Sequence, residues 1–303
     1  MRHRYFTLDV FTDRVFGGNP LAVFPDAREI PVALMQRVAR ELNLSETVFV
    51  LPPETAEGTR RLRIFTPGIE LPFAGHPTVG TAILLATLGE VPLEGDEARI
   101  VFEEGVGPVP VTIRGRDGKA EFAQLSAAML PESRPAPARE ELAALLGLSA
   151  DELAVEGYEA EAVSCGVPFA IIPVRGLDAL GRARVEPAVW QRLLADAWAP
   201  HVYVFTPETG SAADFRVRMF APAMGIAEDP ATGGAASAFA GYLAMRGGAA
   251  DGSHRWTVEQ GIEMGRPSTL YLEADRSAGA VTAIRVGGSA VLVGEGWMEI
   301  PEA

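Results

Sequence analysis

Arg63-Ile64-Phe65-Thr66-Pro67 leads after a short loop into Gly75-His76-Pro77-Thr78-Val79-Gly80-Thr81-Ala82, and the chain says nearly the same thing again. The second copy begins 155 residues on. It reads Arg218-Met219-Phe220-Ala221-Pro222, then Asp229-Pro230-Ala231-Thr232-Gly233-Gly234-Ala235-Ala236. Each copy is a strand stopped by proline, a loop, and the start of a helix. A second echo keeps the same order, with Gly18-Asn19-Pro20-Leu21-Ala22-Val23 matched by Gly166-Val167-Pro168-Phe169-Ala170-Ile171. Two echoes in one order predict a duplicated architecture of two like halves. A ligand site is expected in the cleft between such halves.

The two helices that follow the echoes carry no formal charge. Residues 71–89 and 231–245 are the longest uncharged stretches in the chain. The first is near the ~20 residues of a membrane span but contains Pro72, Pro77 and three glycines. A helix apolar all round belongs in a core, so both read as helices buried within their halves. The first is expected from about residue 77 to just before Gly89. The second is expected from 232 to 246, with Gly247-Gly248 as its stop. Alternating stretches around 6–11, 47–51, 99–102, 109–114 and 119–125 read as strands in the first half. Others near 169–174, 202–205, 216–220, 255–260, 269–273, 280–286 and 290–293 read as strands in the second. Amphipathic helices are expected at 31–42, near 140–146 and at 187–197. Strands and helices do not alternate regularly, which favours α+β over a doubly wound sheet. The proline-rich stretch 126–138 is the candidate linker, dividing residues 1–126 from 127–303.

Several functions are excluded by bulk properties. A net charge of −14 argues against non-specific nucleic-acid binding, which needs Lys and Arg to neutralise phosphates. The one cysteine, Cys165, permits no intramolecular disulfide and reads as a small buried hydrophobe. The N-terminus, Met1-Arg2-His3-Arg4-Tyr5-Phe6, lacks the apolar run of a signal peptide. The expected setting is therefore the cytoplasm, with no membrane contact.

The remaining candidates are acids, bases and N–H donors. A helix start exposes unpaired N–H groups and the positive end of the helix dipole, and so binds anions without a lysine. Ordinary capping with tight packing at glycine would leave the same signature. His76 is the one histidine in a Gly/Pro-bounded loop; at a helix start it is expected neutral, able to donate or accept a proton, or else simply to cap the loop. Glu46 precedes an apolar strand, where it would serve proton transfer if buried or remain a solvated loop glutamate if not. Asp229, directly before Pro230, is well placed to cap the second helix, a duty compatible with catalysis. The sequence has no phosphate-binding Gly-x-x-x-x-Gly-Lys-Ser/Thr loop and no Gly-x-Gly-x-x-Gly after a strand. It also lacks His-Glu-x-x-His, paired cysteines and a Gly-x-Ser-x-Gly elbow. A proton-transfer enzyme using neither metal nor cofactor fits what is left.

Several motifs together resemble the PhzF-like isomerases of phenazine biosynthesis. They are Asp9-Val10-Phe11-Thr12 with the Gly18-Asn19-Pro20 stretch, Asn43-Leu44-Ser45-Glu46-Thr47-Val48-Phe49, Leu71-Pro72-Phe73-Ala74-Gly75-His76-Pro77-Thr78-Val79-Gly80, and Glu228-Asp229-Pro230-Ala231-Thr232-Gly233. Gln260-Gly261 with Gly265-Arg266-Pro267-Ser268 is similar too. The resemblance covers nearly the whole chain. It implies the α+β diaminopimelate-epimerase-like fold: two similar halves, each a curved, mostly antiparallel sheet wrapped around a central buried helix, with the last strand able to cross back to the first half. It also implies a cofactor-free isomerase of the kind that acts on trans-2,3-dihydro-3-hydroxyanthranilate, and a homodimer. By resemblance, Glu46 carries the proton and His76 and Asp229 assist. The backbone N–H groups near Gly75, Gly233 and Gly234 hold the substrate carboxylate, with Ser45 and Thr232 beside them. Two positions depart from the family pattern: Gly234 stands where a serine is usual, and Ala223 where glycine is common. No cysteine lies at either helix start, which argues against a two-thiol racemase. An epimerase or racemase using a carboxylate/imidazole pair, or a ligand-binding protein keeping the fold, would fit the same sequence.

Overall fold

The computed structural model describes residues 1–246 and 250–302. Two compact units are present: Met1–Ala128 with Val286–Ala303, and Met129–Arg285.

The first unit opens with an antiparallel pair, β1 (Arg2–Val10) and β2 (Asn19–Phe24), in the register Phe6 opposite Val23 and Val10 opposite Asn19. Gly18, at φ 60°, turns the chain into β2; a side chain there would collide with the Val10 carbonyl. α1 (Val32–Leu42) then crosses over to β3 (Glu46–Leu51), parallel to β2 with Leu21 opposite Glu46. The helix ends where Asn43 adopts the left-handed conformation and returns its N–H to Ala39. β4 (Arg60–Phe65) runs antiparallel to β3, and β5 (Glu70–Leu71) antiparallel to β4. After α2 (Gly75–Thr87) come β6 (Glu97–Glu104), β7 (Gly107–Arg116) and β8 (Lys119–Ser126) as an antiparallel meander, with β6 parallel to the start of β4.

α2 has no polar stripe, and the surroundings explain why. From Gly75 to Leu85 every residue is buried, against β8, β7, β1, β2, β3 and the chain's last strand. The sheet can approach closely because Gly80 faces Val10 and Leu21. Strand side chains alternate between faces, so Phe24 points away from Leu21. On that far side Phe24, Phe49 and Phe65 meet Met35, Val38 and Ala39 of α1, with the Phe24 and Phe49 rings stacked at 5.1 Å.

The second unit repeats this plan. It contains β9 (Glu132–Pro135), α3 (Arg139–Leu146), β10 (Glu161–Ser164), β11 (Pro168–Pro173), α4 (Gly176–Arg182), α5 (Pro187–Leu193), β12 (His201–Thr206), β13 (Phe215–Ala221), β14 (Ile226–Asp229), α6 (Gly233–Met245), β15 (Gly252–Gln260) and β16 (Ser268–Ser277). β17 (Ala280–Gly288) leads the chain back towards β18 (Ala290–Glu299), which pairs antiparallel along β1. β10 to β11 is antiparallel, β11 to β12 parallel, β12 to β13 and β13 to β14 antiparallel, and β13 to β15 parallel. That is the pairing of β1 through β6, step for step. α6 is buried from Ala235 to Ala244 and packs on β16, β10 and β11. α3, α4 and α5 share a second core with Val202, Val204 and Phe220.

The duplicated arginines make the same fork twice. Arg63 forks onto Glu70 with two bonds of 2.7 Å, and Arg218 onto Glu228 with bonds of 2.7 and 2.8 Å. Each guanidinium also lies over the phenylalanine two residues on, at 5.2 Å from Phe65 and 5.0 Å from Phe220.

Some local expectations are corrected. Within the candidate linker 126–138 lies β9, which pairs with β10. α5 ends at Leu193 rather than 197, and α4 before it had no clear periodic signal. α2 begins at Gly75, two residues earlier than expected. The Gly247-Gly248 stop lies outside the described residues. Among the described residues no helix is long and apolar enough to cross a membrane.

Candidate active site

In the first unit the structure brings Glu46 and His76 together. Glu46 is the first residue of β3, fixed in register opposite Leu21, and is 7% exposed. His76 is the second residue of α2 and is 3% exposed. Its Nε2 lies 3.0 Å from Glu46 Oε2. The solvated-loop reading of Glu46 is therefore wrong: β2 and β3 carry this carboxyl inside, against an imidazole delivered by the helix start. Ser45 immediately precedes it and is half-buried, and Gly75 immediately precedes His76 and is buried. The two atoms stand at ion-pair distance without hydrogen-bond alignment to each other, and a carboxyl and an imidazole shielded from water are each able to give or take a proton.

In the second unit Asp229 closes β14 opposite Met219 and is 6% exposed. Its carboxylate accepts a hydrogen bond from the Thr232 hydroxyl. Asp229 is not the cap of α6. That place belongs to Thr232, whose own side chain makes no capping bond because it is turned to Asp229. Gly233 and Gly234 form the first turn, Gly233 buried and Gly234 half-buried. Nothing lies within 4 Å of where a Gly234 Cβ would stand, so packing does not require glycine there.

Gln260 went unassigned in the sequence, yet it holds this loop. Its amide nitrogen donates to the Asp229 carbonyl at 2.7 Å and to Thr232 Oγ1 at 3.1 Å, while its oxygen accepts the Thr232 N–H at 3.2 Å. Ser268 adds a bond from its hydroxyl to the Pro230 carbonyl at 2.8 Å. Gly261 follows at φ 74°, with the Pro230 carbonyl too close for any side chain. The family-like Gln-Gly and Arg-Pro-Ser residues are thus the buttress of the Asp229 loop.

The other singled-out groups sit elsewhere. Cys165 is buried, donates to the Ser237 carbonyl at 3.4 Å, and burial pushes its thiol up to about 12. A cavity of about 780 Å³ in the first unit is lined by Arg61, Arg63, Glu70, Pro72 and Glu104 among others, and includes neither Glu46 nor His76. Its arginines are already paired, with Glu54 and Glu70. Among the described residues no three His, Cys, Asp or Glu side chains are grouped to hold a metal ion.

Comparison with known proteins agrees with this architecture. The model of the phenazine biosynthesis-like protein family, PhzC-PhzF, matches residues 8–296. An uncharacterised isomerase of Mesorhizobium japonicum is 44% identical over 297 residues, covering 96% of this chain and 97% of its own. The trans-2,3-dihydro-3-hydroxyanthranilate isomerase of Pseudomonas aeruginosa is 37% identical over 298 residues, covering 97% and 98%. The crystal structure of a PhzF-family phenazine biosynthesis protein of Bacillus anthracis superposes with a TM-score of 0.88 at 29% identity, covering 99% of this chain and all of that one. A match over nearly every element, including both glycine-led helix starts, makes the chain a member of the PhzC-PhzF family and a PhzF-like isomerase.

Proposed function

We propose that the chain isomerises a small carboxylate-bearing molecule by general acid–base catalysis, without a cofactor, with Glu46 as the proton carrier. The observation that carries this reading is the buried Glu46 carboxyl 3.0 Å from His76 Nε2. In the proposed reaction Glu46 takes a proton from one substrate carbon and returns it to another. The electron pair freed at the first carbon moves through the intervening double bond to the second, so no oxidant or reductant is needed. His76 steadies the carboxyl between the two transfers, and Asp229 with Thr232 assists. The Gly75 N–H with the Ser45 hydroxyl in the first unit, and the N–H groups at Gly233 and Gly234 in the second, are the groups assigned to carboxylate binding, as helix starts bind anions. The substrate class is that of trans-2,3-dihydro-3-hydroxyanthranilate, the compound named for the P. aeruginosa relative. The working form is a homodimer in the cytoplasm.

Positioned acid–base groups contribute about 10²–10⁴-fold. Glu46→Gln should therefore lower turnover of that compound by this factor and leave the bound fraction of an unreactive carboxylate analogue nearly unchanged. Wild-type turnover in the variant would remove Glu46 from its role. Deuterium taken from solvent at a stereocentre, with no shift of a double bond, would instead indicate an epimerase.

A further inference from the structure

Glu104, at the end of β6, is a second buried carboxyl beside α2, and the proposed reaction does not use it. Its side chain is 8% exposed, and its Oε2 has no hydrogen-bond partner among the described residues. Its Oε1 accepts the Thr78 hydroxyl at 2.7 Å, and the Ala74 backbone N–H bonds to the same carboxyl. Ala74 and Thr78 stand on either side of Gly75-His76-Pro77. One carboxyl therefore grips both ends of the segment that carries His76. The turn after Glu104 adds two more ties. The Val106 N–H donates to the Pro72 carbonyl at 3.1 Å, and a Gly105 side chain would come within 2.8 Å of Pro72 Cα. The Thr78 hydroxyl shares its one proton between Glu104 and the Ala74 carbonyl 2.8 Å away, and the Thr78 N–H reaches that carbonyl at 3.3 Å.

We propose that Glu104 is a positioning residue that fixes the start of α2, and through it sets the His76 imidazole against Glu46. A buried hydrogen-bonding group placed this way holds the segment, because its loss takes the partner from the Ala74 N–H and leaves the Thr78 hydroxyl with the Ala74 carbonyl alone. Burial pushes the Glu104 carboxyl up to about 8, so near neutral pH it is chiefly the uncharged acid and glutamine is its close substitute.

The proposal rests on the acid–base reading for its catalytic meaning, but its test does not need a substrate. Backbone hydrogen exchange over residues 74–79 is followed at pH 6, together with the NMR pH titration of the His76 imidazole. Glu104→Gln should leave both as in the wild type. Glu104→Leu should quicken exchange at 74–79 about tenfold or more, while α6 stays protected, and should move the His76 titration. If turnover is present, Glu104→Leu should lower kcat by up to about 10²-fold with KM little changed, the size of a small misplacement of a reacting group, and Glu104→Gln should restore it. Should Glu104→Leu not fold, Thr78→Val removes the same bond from the other side and is read in the same way. Wild-type exchange and wild-type His76 titration in whichever variant folds would overturn the positioning role, whatever Glu46→Gln shows. Altered exchange without any effect of Glu46→Gln on turnover would leave the positioning role standing and defeat the proposed reaction.

Discussion

Tyr203 in β12 is fully buried, its ring 5.4 Å from that of Phe239, and its hydroxyl has no hydrogen-bond partner among the described residues. An unsatisfied buried hydroxyl costs about 1–3 kcal/mol. Tyr203→Phe keeps the ring and removes the hydroxyl, so it should stabilise the protein by about 1 kcal/mol, read as a raised urea midpoint; a lowered midpoint would show that the hydroxyl is satisfied after all. Single residues were also where the sequence was hardest to read. Glu46 and His76 were readable as candidates because each sits at the junction of a loop with a regular element. Their contact was not, since parallel β2–β3 pairing and the α2 start bring together residues thirty positions apart. Glu104 carried a signal that went unread. Ile100, Phe102 and Glu104 occupy alternate positions of β6, all buried, so the strand's period placed a carboxyl on the core face. The role of Gln260 had no such signal, because its partners are two backbone groups and a hydroxyl distant in sequence.

Elements were more readable, and where they failed the cause is tertiary. α2 and α6 announced themselves by lacking charge; α4 is too short to show a period. The same Gly→Ala change should act in opposite directions in two helices. At Gly80 in α2 a new Cβ would stand 2.6 Å from Val10 Cγ2 and 2.7 Å from Leu21 Cδ2, both side chains fully buried. Overpacking of this kind costs about 1–3 kcal/mol, more than the roughly 0.5–1 kcal/mol that alanine gains over glycine in a helix. Gly80→Ala should therefore destabilise. Gly181 in α4 has nothing within 4 Å of its Cβ position, and Gly181→Ala should stabilise by the propensity gain alone. Thermal midpoints shifting in the same direction would refute the packing argument. The duplicated arginine clamps should likewise part company. Arg218 is 2% exposed and also donates to the Leu180 and Ala183 carbonyls at the end of α4. Arg63 pairs with a Glu70 side chain that is 42% exposed. Arg218→Met strands a carboxylate and should cost about 3–5 kcal/mol, whereas Arg63→Met should cost about 1 kcal/mol or less. Equal losses in chemical denaturation would mean that the two copies bear the same load.

The whole molecule was read from its repeat. Two echoes in one order gave a duplicated α+β plan, and the strand pairings bear it out: one echo spans a strand, its loop and the start of a buried helix, the other a turn and the strand after it. What the repeat does not encode is where the second copy has diverged, and two buried groups set the response of the fold to pH. His201 of β12 exists only in the second unit, and burial lowers its imidazole from 6.5 to about 4. As pH falls through 6.5 the unfolded chain takes up this proton before the folded one does, so stability falls until about pH 4. Glu104 exists only in the first unit and runs the other way. Burial raises it from 4.5 to about 8, opposed by the Thr78 hydroxyl and the Ala74 N–H. As pH rises through 4.5 the unfolded chain gives up its proton first, so stability falls until about pH 8. Each slope is at most about 1.4 kcal/mol per pH unit. Between pH 4.5 and 6.5 the two oppose one another and stability should be nearly level. Below 4.5 the loss through His201 is joined by that of Glu152, whose carboxylate Ser149 and Arg182 hold down to about 2. From 6.5 to 8 only the Glu104 loss remains of the pair. Urea midpoints taken across this range should show a plateau with a decline on its alkaline side, and Glu104→Gln should remove that decline and leave His201 unopposed, so that midpoints rise from pH 4.5 to 6.5 and then hold level. A decline that survives in Glu104→Gln would mean that the carboxyl ionises as freely in the folded chain as in the unfolded one, and that water reaches the end of β6.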